Sequence, residues 1–121
     1  MATVRYIVHD VEKCTEFYTT HLGFEIVEQF GAAIAIVKRG DLTLWLAGPQ
    51  ASASRPMPDG RKPEPGGWNR LVIEVDDLAE MVSKLKADGA SFRNEVVSGP
   101  GGQQILLEDP SGNVIELFQA S

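Results

Sequence analysis

The residues able to do covalent or metal chemistry are few. The chain has two histidines, His9 and His21, and one cysteine, Cys14. The histidines flank one helical stretch instead of falling at the i, i+4 spacing that turns two imidazoles toward one zinc. No H-E-x-x-H and no C-x-x-C occurs. Both histidines are therefore expected on the solvated surface. Gly99, Gly101 and Gly102 lead into a strand-like run, whereas a phosphate-cradling turn needs a helix N-terminus behind it. A lone cysteine cannot close a disulfide within one chain, which fits a reducing cytoplasm. The net charge of -6 opposes the phosphate backbone of nucleic acids. The nearest basic cluster, Arg55, Arg61 and Lys62, is diluted by prolines and Glu64 and reads as a solvated loop. No apolar run reaches the length of about 20 residues that crosses a membrane. The start, Met1-Ala2-Thr3-Val4-Arg5, enters a strand pattern at once, so no signal peptide is expected.

The elements that would position any site come in two copies. Val4 to Val11 and Leu71 to Leu78 are both β-branched, apolar runs that carry an aspartate just before a helical pattern. Asp10 and Asp77 are expected N-caps, accepting from the free N–H groups of the first turn. Glu80 stands three residues after Asp77, a capping-box spacing. Val11, Cys14, Phe17, Tyr18 and Leu22 form one helical stripe; Leu78, Met81, Val82 and Leu85 form the other. Gly23 and Gly89 stop them. Three strand-like runs follow each helix: 24–30, 33–38 and 42–47, then 92–98, 103–108 and 114–119. Between the copies lies a Pro/Gly-rich loop, 48–69, with five of the seven prolines and no expected helix or strand. The reading is one α+β domain over 1–121, with βαβββ modules at 3–47 and 70–119.

Two stretches resemble a known family. Phe17-Tyr18-Thr19-Thr20-His21-Leu22-Gly23-Phe24 is similar to the helix exit of the vicinal oxygen chelate superfamily, which includes glyoxalases, bleomycin-resistance proteins and extradiol dioxygenases. Glu108-Asp109-Pro110-Ser111-Gly112-Asn113-Val114-Ile115-Glu116-Leu117-Phe118 resembles its final hairpin, the more specific signal. The resemblance implies that the paired modules form an open, cup-shaped mixed sheet, with a small molecule in the cup and commonly a homodimer.

In the family's metalloenzymes four side chains hold a divalent metal. Carried onto this chain, the positions are Thr3 and Arg70, each seven residues before its aspartate, then Glu116 and, by counting from the turn at Gly40, Leu44. A one-residue shift would bring in Asn69. Glu116 alone suits a metal, and a guanidinium opposes a cation. No cofactor is therefore expected, and a divalent metal is disfavoured.

Strand alternation sorts the faces. Rows of purely apolar residues should pack on the helices, and mixed rows should line the cup. That places Arg5, Arg70, Glu74, Glu116 and Phe118 inward, and the count from Gly40 that gave Leu44 sets Leu42, Leu44 and Leu46 beside them, with Trp45 on the helix side. Apolar walls with a few charges make a small-molecule site, and the two arginines and two glutamates are also expected to pair with one another. Trp68, ending the loop beside Arg70, could stack on a flat ligand or a cation, or cover a dimer contact. The expected binding residues are Arg5, Leu44, Trp68, Arg70, Glu74, Glu116 and Phe118.

Three functions stay open on the sequence. The first is a metal-free protein that binds a small, flat or aromatic molecule. The second is a metal-dependent lyase, isomerase or dioxygenase. The third is a metal-free enzyme with Glu116 or Glu74 as base and an arginine holding an anionic intermediate. No nucleic acid or membrane partner is expected.

Overall fold

In a computed structural model describing residues 2–121, the chain folds as two compact units, one ending at Gly66 and the other beginning at Gly67. Each unit is built from a strand, a helix and an antiparallel run of further strands, and each forms its own open mixed sheet.

In the first unit, strand β1 (Ala2–Ile7) leads into helix α1 (Val11–His21). Asp10 is the N-cap: its carboxylate accepts from the Lys13 N–H at 3.0 Å, satisfying one of the free donors of the first turn. After the helix, Gly23 takes φ 73°, a left-handed turn that side-chain-bearing residues avoid. Strands β2 (Glu25–Phe30), β3 (Ile34–Arg39) and β4 (Leu42–Ala47) follow. The sheet order is β1-β4-β3-β2, so β4 pairs parallel with β1 and antiparallel with β3. Beneath α1 lie Ala35, Val37, Leu44 and Leu46, all fully buried. The edge strand β2 carries a bulge at Val27 and is exposed along its length.

The segment after β4 is not wholly irregular, as its composition led us to expect. Ser52–Ser54 forms a turn of 3₁₀ helix, and the Ser54 hydroxyl donates to the Gly48 carbonyl at 2.7 Å. Prolines rule out regular ladders, yet a single turn needs only local i→i+3 bonds.

In the second unit, β5 (Arg70–Glu74) leads to α2 (Leu78–Ala87), capped by Asp77, whose carboxylate accepts from the Glu80 N–H at 3.1 Å. Next come β6 (Ser91–Phe92), β7 (Val97–Gly99), β8 (Gly102–Glu108) and β9 (Val114–Ala120). The single strand expected over 92–98 is thus two short strands, both paired to β8. The Asn94 side-chain oxygen accepts from the Leu106 N–H at 2.9 Å, replacing the backbone carbonyl that would have continued the ladder. The order β5-β9-β8-β6 again places a parallel pair at one side.

Leu71, Ile73, Ile105, Leu107, Ile115 and Leu117 form the buried face toward α2. Its orientation is fixed by Gln119, on the same side of β9, whose side-chain oxygen caps the helix by accepting from the Leu78 N–H at 2.7 Å.

Candidate functional site

The face of the second sheet turned away from α2 reads as three rows. Register sets them: Arg70, Val114 and Glu108; then Val72, Glu116 and Leu106; then Glu74, Phe118 and Gln104. This is the mixed face expected from alternation for Arg70, Glu74, Glu116 and Phe118. Its centre is shielded, with Val114 and Glu116 buried, while Val72 and Glu74 on the outer strand are exposed.

Arg70 and Glu116 are brought together, as an ion pair. The Arg70 Nε donates to a Glu116 carboxylate oxygen at 3.0 Å. The Glu116 side chain is only 9% exposed and that of Arg70 32%. A carboxylate so far out of water needs a partner, and the guanidinium is that partner.

The end of this face next to Arg70 holds a second arginine that sequence reasoning passed over. Arg93 Nε donates to a Glu108 carboxylate oxygen at 2.7 Å, and its terminal nitrogens donate to the Gly67 carbonyl at 2.8 Å and the Gly112 carbonyl at 3.1 Å. Its guanidinium lies over the Trp68 ring, 4.6 Å from the centroid. Trp68 thus stacks on a guanidinium of the chain itself, and it remains 70% exposed. No local motif announces Arg93, because its polar partners are 15, 19 and 26 residues away.

The final-hairpin motif proves structural. Asp109 is buried; one carboxylate oxygen accepts from the Ser111 and Asn113 N–H groups and the other from the Asn113 amide. Gly112 completes the turn at φ 86°. The motif's aspartate holds the turn that aims β9, and Glu116 on that strand is the residue it presents.

In the first unit the inward assignment of β4 needs correction. Leu44 pairs with Val4 and Leu46 with Tyr6, and both leucines are fully buried in the core under α1. Leu44 is therefore a packing residue, not part of a binding face. Trp45 pairs with Arg5 on the opposite side, where the Arg5 guanidinium sits 4.8 Å from the ring centroid. The slip has a simple cause. Arg39 pairs with Leu42 across a two-residue turn, whereas Glu108 pairs with Val114 across five. Counting from glycine to glycine thus runs one residue short, and one residue reverses a strand's faces. Thr3 pairs with Thr43 and Arg70 with Val114, so the counterpart of Glu116 is Trp45. An all-leucine row against a Thr43–Trp45 row was the signal available in the sequence.

The family's metal positions thus hold Thr3 and Trp45 in the first unit and Arg70 and Glu116 in the second. Neither pair offers the several carboxylate, imidazole or amide ligands that a divalent cation prefers. The one carboxylate, Glu116, is already engaged by the Arg70 guanidinium. Among the described residues, no three His, Cys, Asp or Glu side chains gather as a metal-binding group.

Cavities among the described residues of the first unit include the following pair. One, about 610 Å³, is lined by His9, Asp10, Val11, Gln29, Pro49 and neighbours; the other, about 370 Å³, by Ile7, His9, Ser54, Lys62 and four prolines. His9 is an exposed residue, as expected, but it walls both. Among the described residues no helix is long and apolar enough to cross a membrane.

Comparison with known proteins agrees with this architecture. Residues 1–117 match the Glyoxalase/Bleomycin resistance protein/Dioxygenase superfamily. Similar solved structures include lactoylglutathione lyase from Agrobacterium tumefaciens, 23% identical with a TM-score of 0.77, covering 98% of this chain and 92% of that one. TnmS3, an antibiotic binding protein from Streptomyces sp. CB03234, is 29% identical with a TM-score of 0.74 over 98% and 93% of the two chains. The fosfomycin resistance protein FosX from Listeria monocytogenes is 16% identical with a TM-score of 0.75 over 100% and 93%. No curated protein sequence matches the chain. On the extent of the family match and the paired β-α-β architecture, the chain belongs to the Glyoxalase/Bleomycin resistance protein/Dioxygenase superfamily.

Proposed function

We propose that this chain is a metal-free member of its superfamily that binds a small, flat molecule against the second sheet, on the face carrying Arg70, Val72, Glu116 and Phe118. One observation carries the reading: the Arg70 guanidinium holds the Glu116 carboxylate at 3.0 Å, at the position where the family's metalloenzymes place a ligand. A divalent cation would have to displace from that oxygen a tethered group whose charge has the same sign as its own. Around the pair stand apolar surfaces, Val72, Leu106 and Phe118, which suit a planar ring, with Glu74 and Gln104 at the margin. The similarity to an antibiotic binding protein over nearly the whole chain supports a binding role. Arg5 over Trp45 offers a surface of the same kind on the first unit.

Titration with a panel of planar compounds (an anthraquinone, a naphthoquinone, a flavone) tests this. Tryptophan fluorescence should quench saturably with at least one of them, and Phe118→Ala should weaken that binding. A panel that leaves both tryptophans unquenched, with no heat of binding by calorimetry, would sink the proposal.

The reading includes a homodimer. The outer strand β2 leaves Ile26, Val27 and Phe30 about half exposed, an apolar edge that a second copy would cover. Native mass near twice 13.2 kDa is expected; a strictly monomeric mass at micromolar concentration would contradict it.

A further inference from the structure

We propose that Arg93 is a positioning and specificity-determining residue, holding Trp68 as a rigid platform on which an electron-rich planar ring, phenolic or otherwise oxygen-substituted, stacks. This rests on the reading that a flat molecule docks on the second sheet, and it adds which rings that surface selects.

The clamp leaves Arg93 little freedom. Three guanidinium nitrogens are bonded, to Glu108, Gly67 and Gly112, and the side chain is 19% exposed. Gly67 immediately precedes Trp68, so one guanidinium restrains both the backbone and the indole of the same segment. The result is an aromatic ring, 70% exposed, at the end of a Pro/Gly-rich stretch that would otherwise leave it mobile. Conformational freedom already lost in folding need not be lost again on binding, which favours affinity.

The clamp also sets the sign of the surface. Glu108 meets the guanidinium edge through Nε, while the guanidinium lies against the indole at 4.6 Å from its centroid. A cation there draws π density toward itself, so the outer ring face attracts a second cation poorly and accepts an electron-rich ring well. Glu108 shares a row with Val114 and Arg70, which places the platform at the Arg70 end of the binding face.

Two probes with one ring system test this on the full chain: 2-naphthol and 2-naphthyltrimethylammonium. Binding is followed at the Trp68 indole N–H resonance, assigned by its loss in Trp68→Phe. The naphthol should shift that resonance and bind between about 2-fold and about 5-fold more tightly than the ammonium. Trp68→Ala should weaken naphthol binding by between about 2-fold and about 12-fold. Arg93→Gln should abolish the preference between the probes, whatever it does to the melting temperature; a purely structural arginine would leave that ratio unchanged. Equal or reversed preference in the wild type, a ratio unchanged in Arg93→Gln, or no saturable naphthol binding would overturn the proposal. If Phe118→Ala weakens naphthol binding and Trp68→Ala does not, the platform falls while the binding face stands. If neither does, both fall.

Discussion

Arg70 and Glu116 are unequal partners, and the inequality is testable. Replacing Arg70 strands a carboxylate that is 9% exposed, whereas replacing Glu116 frees a guanidinium that is 32% exposed and can reach water. Arg70→Met should therefore destabilise the chain by about 3 kcal/mol, and Glu116→Gln by less than about 1 kcal/mol. Urea denaturation of the two variants checks this; equal losses would contradict the burial asymmetry. At this scale much could be read in the sequence. Alternation put Arg70, Glu74, Glu116 and Phe118 on one face because their strands are short, regular and in simple register. Leu44 was misplaced because the two hairpin turns differ in length, which glycine positions do not reveal. Arg93 was missed because all four of its partners, Gly67, Trp68, Glu108 and Gly112, are distant in sequence and two are backbone carbonyls, which any residue type supplies.

Among the elements, the two helices followed directly from local chemistry. Asp10 and Asp77 cap the helices that their spacing anticipated, and Gly23 and Gly89 turn the chain beyond them. The run after α2 did not follow, because a side chain, Asn94, intervenes in the ladder of β8. β8 begins with its own constraint. Gly102 takes φ 148°, and a Cβ there would drive into the Gln119 carbonyl of β9. Gly102→Ala should cost more than about 1 kcal/mol, from a strained backbone and a displaced strand. Thermal unfolding measures it; an unchanged midpoint would mean that the β8–β9 ladder shifts to make room. Because β9 carries both Glu116 and Phe118, the same variant should weaken binding to the second sheet.

For the whole molecule, the net charge of -6 led us to expect no nucleic-acid partner, and the repeat of a strand-helix-strands pattern matches the two mixed sheets observed. The superfamily hosts several chemistries on this architecture, so the site has to decide among them. In the reading we propose, the deciding residue is Arg70, which faces Glu116. The most direct test is the metal content of protein purified without a metal-affinity tag, with thermal melts in Zn, Ni, Mn and Fe(II). Metal far below one equivalent per chain and no shift in midpoint are expected. A site that fills would add about 2.7 kcal/mol at a hundredfold excess over its Kd. Metal near one equivalent, or a shift of that size with any of these ions, would mean that Arg70 yields Glu116 to a cation and that the account is wrong.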